Sequence, residues 1–464
     1  MTTNVYNIEA AIMNKMSSAS TELELLEYSK MLQQIKTGIV QVADTFASLP
    51  AYADSVGHMY YIKDEKTVYW ANAASGWIPI TQTSASTLWV MGGDYNNTVP
   101  DGVYTWPSDI SSPVREVSSS TNWCQVSYGG SFSGGGVKQD GSLYVWGGYS
   151  GYCIDAFPNE QVEGVGAAIM RYTGSCDWSK VDYAGNTATA LKTNGEVWSW
   201  GCNCCGNFGD NRNITTATRT PQQELTSSTW TAVCRAHALA VAGIKTDGTL
   251  WGFGNGTVSG WGQGNTTNHS SPVQEFYSAT NWCNLSRMNY CTAAIKTDGT
   301  LWFAGQSSDG NFMNNCNLSQ VFCSFVQEYT SSTNWSQVNF NTPIVALKTD
   351  GTLWGAGYNT TGSLGDGTNI CRSSPVQEVT SSTNWCCAVR VSSAGGSSMG
   401  VKTDGTLWGW GWNRLQNVLI YPIACGNNHC TSSPVQEMTS HANGWGDINV
   451  RSGNAAFIRI DGTF

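Results

Sequence analysis

Paired runs of alternating apolar and polar residues, joined by Asp-Gly or Asn-Gly, recur along this chain of 464 residues. They read VKQDGSLYVWG at Val137–Gly147, LKTNGEVWSWG at Leu191–Gly201, IKTDGTLWGFG at Ile244–Gly254, IKTDGTLWFAG at Ile295–Gly305, LKTDGTLWGAG at Leu347–Gly357 and VKTDGTLWGWG at Val401–Gly411. Alternation with period two predicts strands, and the dipeptide predicts a tight hairpin through a type I′ turn, left-handed at both central residues. Glycines alternating with Trp in the outgoing strand, such as Gly252 and Gly254, predict close backbone approach, as crowding near a central axis would demand.

The chain ends inside a copy of this motif. Phe457–Phe464 reads FIRIDGTF and stops where the others continue, while STLWVMG at Ser86–Gly92 is a second half with no first half before it. The apolar residue after each turn falls at Leu88, Leu143, Val197, Leu250, Leu301, Leu353, Leu407 and Phe464, at spacings of 51 to 57 residues. Seven periods then close a circle if the final strand pairs near residue 88. A second landmark stands about thirty residues before each marker, as in SPVQEVTSSTNW at Ser374–Trp385 and SPVQEFYSATNW at Ser271–Trp282; the copy around Gln161–Trp178 is degenerate. The two landmarks imply four short strands per period, the arrangement of a propeller blade. Most of the 21 Trp are assigned to its core, since one buried ring removes about 150–250 Å² from water.

The KTDGTLWGWG hairpin, the loop YNTTGSLGDGT at Tyr358–Thr368 and the SSPVQE segment resemble the regulator-of-chromosome-condensation (RCC1) repeat. The resemblance covers about residues 84–464 and implies a mainly β fold, a seven-bladed β-propeller. It implies little about function, because such propellers serve as exchange factors, ubiquitin-ligase modules, scaffolds and binding platforms.

Residues 1–83 follow another pattern. Thr21 with Glu24 forms a capping box, and Leu25, Tyr28, Leu32, Ile35, Ile39, Val42 and Phe46 follow at heptad spacing. This predicts a helical attachment and oligomerisation segment over 1–48, either a short coiled coil or an amphipathic helix on its own domain. HMYYIK at His58–Lys63, TVYWANA at Thr67–Ala73 and SGWIPI at Ser75–Ile80 predict a small three-stranded unit over 49–83. Helix, Leu-Pro step and hairpin in this order resemble the leader of tailed-phage virion fibre proteins. That resemblance implies a homotrimer located on a virion, attached to other virion proteins through residues 1–83.

Composition bears on function. With 23 Lys plus Arg against 33 Asp plus Glu the formal net charge is −10, which disfavours nucleic-acid binding. No apolar stretch approaches membrane-spanning length, and no signal peptide is visible. Cys124, Cys283 and Cys386, each just after a landmark Trp, read as buried thiols. Cys202, Cys204, Cys205, Cys425 and Cys430 fall in loops as thiols or disulfides, at spacings poor for zinc.

Catalytic signatures are absent from the sequence, which points to a non-enzyme without cofactor or metal. The glutamates Glu116, Glu224, Glu275, Glu328, Glu378 and Glu437 recur once per blade and read as structural. The repeats diverge in the connection after the outgoing strand, so candidate ligand-binding rings are Tyr95, Tyr104, Tyr149, Tyr152, Trp261, Phe312, Trp412 and Tyr421. Three functional classes follow: a virion fibre or decoration protein contacting a host-surface glycan or protein, an intracellular regulatory propeller of the guanine-nucleotide-exchange kind, and a carbohydrate-active propeller enzyme. The first is the leading expectation.

Overall fold

A computed structural model of the chain describes residues 41–43, 59–62, 67–72, 76–79, 85–93, 109–115, 122–128, 133–147, 170–171, 175–184, 187–203, 205–226, 229–236, 240–257, 260–288, 291–307, 312–316, 319–339, 343–390, 396–411, 431–436, 445–451 and 454–461. The chain divides into two compact units, Met1–Ser84 and Ala85–Phe464.

In the first unit, strands Gln41–Ala43, Met59–Ile62, Thr67–Asn72 and Gly76–Pro79 form one sheet in that order. The last three are the expected strands, antiparallel to one another. The fourth corrects the sequence reading, because Gln41–Ala43 runs parallel to Met59–Ile62 with Val42 opposite Tyr61, where a helix was expected. An open sheet edge offers unpaired backbone groups, and here edge pairing overrides the heptad period. Leu25, Tyr28, Leu32, Ile35, Ile39 and Phe46 lie outside the described residues.

The second unit is a β-propeller. Six four-stranded sheets each take four consecutive strands, as in Trp282–Met288, Cys291–Lys296, Leu301–Ser307 and Gln320–Gln327. A further sheet takes its strands from both chain ends, in the order Trp445–Arg451, Asn454–Asp461, Ala85–Gly93 and Asp109–Arg115. Each sheet's first strand begins with the landmark Trp: Trp123–Tyr128, Trp178–Ala184, Trp230–Ala236, Trp282–Met288, Trp335–Asn339, Trp385–Arg390 and Trp445–Arg451. Each of these first strands touches the next, and the last touches the first, so they line the axis.

The ends meet as the sequence implies. Asn454–Asp461 pairs with Ala85–Gly93, from Asn454 opposite Gly92 to Asp461 opposite Ala85, with Ile458 opposite Leu88. In an uninterrupted copy Val401 faces Leu407, so Leu88 occupies the marker position of a hairpin that has no turn.

The intact turns differ from the expected type. The Gly248 N–H donates to the Lys245 carbonyl at 2.9 Å, the Lys245 N–H donates to the Thr249 carbonyl at 2.9 Å, and Gly248 is the left-handed residue at φ 76°. This is a three-residue loop, a type I turn closed by a glycine bulge. Asp247 is not left-handed; its Oδ1 accepts the Thr249 N–H at 3.0 Å and so binds the turn to the outgoing strand. The glycine also joins blades. Its carbonyl accepts the Trp282 N–H of the next sheet at 2.9 Å, and a Cβ there would run into the Thr280 carbonyl.

The outgoing-strand glycines answer to local packing and not to crowding at the axis. A Cβ on Gly252 would enter the Trp261 indole, while Gly254, φ 100°, sits at a register shift against the outer strand. The core fills the space between neighbouring sheets, as where Val345 and Leu353 meet Trp385 and Trp410 of the next. Cys124, Cys283 and Cys386 are exposed, which corrects the expectation of buried thiols. Register shifts directly after each landmark Trp turn the following residue outward. There Cys386 Sγ donates to the Val401 carbonyl at 3.3 Å, as Ser336 Oγ does to the Leu347 carbonyl at 3.1 Å.

Candidate functional site: the exposed apolar arc at the turn end

In four successive sheets the chain passes to the next through a segment that starts at a buried glutamate, Glu224, Glu275, Glu328 or Glu378, and ends at the landmark Trp. Glu378 accepts the Thr380 N–H at 2.7 Å and the Ser382 N–H at 2.8 Å, and the Trp385 indole N–H at 3.3 Å. Glu328 and Glu224 do the same for Trp335 and Trp230, and Glu275 accepts the Tyr277 and Ala279 N–H groups. A carboxylate collecting backbone donors fixes the segment as a tight loop. These glutamates are therefore committed to architecture.

Around the same end, a lysine from each hairpin turn lies between two rings. Lys402 Nζ is 4.9 Å from the Trp385 ring and 4.2 Å from the Trp408 ring, and Lys348 lies 4.8 and 4.3 Å from Trp335 and Trp354. Such cation–π contacts are worth about 0.5–2 kcal/mol each. Sequence reading missed them, although Lys two residues before Asp in every KTDG and Trp at both landmarks was the available signal. The turn aspartates Asp247, Asp298 and Asp350 are held below the ordinary carboxylate range, first by the hydroxyl of the following Thr and then by its N–H.

The connections expected to bind ligand are packed structure where they are described. Trp261 and Phe312 are fully buried, which removes both from the candidate rings. They are equivalent to Phe208 and Leu364, which are buried as well; Trp261 and Phe312 each pack among residues of two adjacent sheets, and Phe312 stacks on Phe303 with centroids 5.4 Å apart. Sequence divergence hid this because Phe, Trp, Phe and Leu fill one kind of slot. Under the loop, Asn359 Nδ2 donates to Asp366 Oδ1 at 3.1 Å and Asn359 Oδ1 accepts the Leu364 N–H at 2.9 Å; Asn203 repeats this with Asp210 and Phe208. Tyr95, Tyr104, Tyr149, Tyr152, Trp412 and Tyr421 lie outside the described residues.

The exposed apolar surface is elsewhere, on the residue directly after the buried glutamate. Leu225, Phe276, Tyr329 and Val379 occupy this position in four successive blades and are 56, 62, 60 and 48% exposed. Their N–H groups make one repeated bond, to the carbonyls of Gly209, Gly262, Met313 and Gly365 at 2.8 to 3.1 Å. Tyr277, 60% exposed, stands edge-on to Phe276 with centroids 5.3 Å apart. From these residues to the next Trp there is no Asp, Glu, Lys or Arg in any of the four segments. The result is a curved arc with three aromatic rings, whose segments accept bonds from the turn lysines: Lys245 Nζ donates to Thr226 Oγ1 at 3.2 Å, Lys348 Nζ to Ser332 Oγ at 3.3 Å and Lys402 Nζ to Ser382 Oγ at 2.9 Å. An apolar residue after each Glu could have been read from the repeats, but its outward direction is set by the glutamate's hold on the loop.

Among the described residues no group of three His, Cys, Asp or Glu is placed to hold a metal ion, and no helix is long and apolar enough to cross a membrane.

No protein-family model matches the chain. It is 30% identical over 194 residues to the ultraviolet-B receptor UVR8 of Arabidopsis thaliana, a match covering 40% of this chain and 43% of that protein. The chain thus spans less than half the length of that relative. Among solved structures it resembles human WBSCR16, with TM-score 0.65 and 15% identity over 81% of this chain and 99% of that one. It also resembles Prp20p of Saccharomyces cerevisiae, described with its binding properties to Gsp1p and histones, with TM-score 0.69 and 11% identity over 82% and 93% of the two chains. A second structure of Prp20, named there as yeast RCC1 and bound to Kap60, gives TM-score 0.67 and 12% identity over 82% of this chain and 90% of that one. None of these relatives is described as a virion, fibre or trimeric protein.

Proposed function

Taking as premise that the chain is an RCC1-like repeat β-propeller, we propose that it is a non-catalytic protein-recognition module of the regulatory kind, a ring of seven blades counting the composite one. The observation that carries this reading is the arc of Leu225, Phe276, Tyr277, Tyr329 and Val379. Three rings about 60% exposed, at about 150–250 Å² each, present roughly 300–450 Å², comparable to the largest patch of a typical monomer, which is often functional. A rigid ring holds them in place. The recurrent carboxylates that an enzyme would use are occupied by backbone and indole donors. The regulatory character is supported by likeness to Prp20p and UVR8.

The exchange-factor form of this reading is tested by nucleotide release. Purified small GTPases loaded with a fluorescent guanine nucleotide are mixed with the full chain. Faster release, lost in the Phe276→Ser, Tyr329→Ser variant, supports it; release unchanged across the panel removes the exchange form.

A further inference from the structure

The outermost strand of a propeller sheet has one side unpaired, and native sheets guard such edges with proline or charge. Pro113, Pro221, Pro272, Pro375 and Pro434 stand at one position of the repeat, three residues before the recurrent Glu. The short outermost strand Met170–Arg171 carries a charge in Arg171. Gln320–Gln327 has neither guard: Phe325 takes the proline position, and the strand QVFCSFVQ contains no charged residue. Among the described outermost strands it stands alone in this. The Phe325 ring is core, 2% exposed and 4.7 Å from the Trp282 ring, above Gly262, where a Cβ would run into it. What the exchange of proline for phenylalanine adds at the edge is a backbone N–H.

That N–H points outward. The Glu328 N–H donates inward to the Leu301 carbonyl at 3.0 Å, and Val326 faces Phe303, so alternation aims the backbone groups of Phe325 and Gln327 away from the sheet. Cys323 agrees with this phase, since its carbonyl accepts the Gly264 N–H of the preceding blade's loop at 2.6 Å. The segment beside this strand departs from the repeat as well. Tyr277 stands where the other regular copies have Thr or Ser, and Ala279 where they have Ser or His. Elsewhere those hydroxyls serve the architecture, as Thr380 Oγ1 does in donating to Glu378 and Ser382 Oγ in accepting from Lys402. The Tyr277 hydroxyl instead donates to Ser324 Oγ of the unguarded strand at 3.4 Å, and its exposed ring stands beside Phe276. An open edge and two exposed rings therefore meet at one junction of the ring of blades.

We propose that this junction takes a short extended segment of a partner protein, which adds as a strand along Phe325–Gln327 and sets an apolar side chain against Tyr277 and Phe276. In strand addition main-chain bonds give affinity, and sites for alternate side chains give specificity. The backbone groups at the edge select a peptide, because a glycan has no N–H and C=O groups at strand spacing. The inference rests on the reading of the arc as a recognition surface and names the form of what it recognises.

Random peptides of about ten residues, the upper range of a strand, are displayed on phage and selected on the immobilised full chain. The selected sequences are then synthesised and titrated by fluorescence anisotropy. N-methylation of each peptide amide in turn is expected to weaken binding roughly five- to tenfold at alternate positions, as loss of one backbone hydrogen bond does, and little at those between. Tyr277→Thr, which restores the residue of the other copies, is expected to weaken binding at least about tenfold, as loss of an aromatic anchor does. Leu225→Ser, on the arc but away from the strand, leaves it unchanged. Selection of no peptide, or binding indifferent to Tyr277→Thr, overturns the proposal. A flat methylation scan also overturns it, proline-rich peptides included. If the Phe276→Ser, Tyr329→Ser variant then still loses the peptide, the arc stands as a recognition surface without strand addition; if it does not, both readings fall.

Discussion

The composite sheet and the sheet beginning at Trp335 do the same work with different covalent means. In the latter, Leu347 and Leu353 face each other across an intact Asp-Gly turn, and Trp354 Nε1 donates to Thr352 Oγ1 at 2.8 Å. In the composite sheet Ile458 faces Leu88 with no turn between them, yet Trp89 Nε1 donates to Thr87 Oγ1 at 2.8 Å. Arg459 lies 5.5 Å from the Trp89 ring where the other blades place Lys. The cross-strand contacts therefore specify this hairpin without help from chain connectivity. The turn contributes something else, the bond from its glycine carbonyl to the next blade.

Removing residues 454–464 should have the largest effect on this comparison. It strips the partner strand of Ala85–Gly93, and thermal melts followed by circular dichroism should lose their single cooperative transition; a melt like that of the intact chain would mean the ring does not depend on its closure. Next, Leu88→Ala and Leu353→Ala delete fully buried side chains at equivalent positions, and each should cost about 2–5 kcal/mol. Denaturant melts of the pair sharpen the comparison: equal costs make the closing sheet a blade like the others, and a larger cost at Leu88 marks it as the weak sector.

Gly248→Ala isolates the turn's own contribution. The left-handed φ of 76° costs an alanine about 1–3 kcal/mol, and its Cβ meets the Thr280 carbonyl besides, so denaturant melts should report a loss above that range.

Acid should act more mildly. Because Asp247, Asp298 and Asp350 have folded-state values depressed by Thr hydroxyls and N–H groups, their contribution is present above the unfolded carboxylate value, about 3.9. It is lost as pH falls through the depressed values. Melting temperatures measured downward from pH 5 should drop less in Asp350→Asn than in the native chain. The smallest change is expected for Cys386→Ser, within about 0.5 kcal/mol, since serine and threonine make the same bond at Ser336 and Thr231.

What the residues determine by themselves is local or periodic. Alternation around Asp-Gly fixes the hairpins, the recurring spacing fixes the repeat, and the split motif fixes which ends must meet, because each signal lies within a few residues or recurs at one interval. Bonds and packing that the pattern does not encode decided the rest. Whether the turn was type I or type I′ depended on Asp247 bonding forward to Thr249, and whether Trp261 and Phe312 were surface rings or wedges depended on the slots offered by neighbouring sheets. The exposure of the arc followed from a buried glutamate gathering the N–H groups of its own loop. The placement of Val42 in a strand followed from a sheet edge at Tyr61, a partner 19 residues away. Burial and direction are properties of the packed neighbours, and a period in the chain carries no record of which neighbour will arrive.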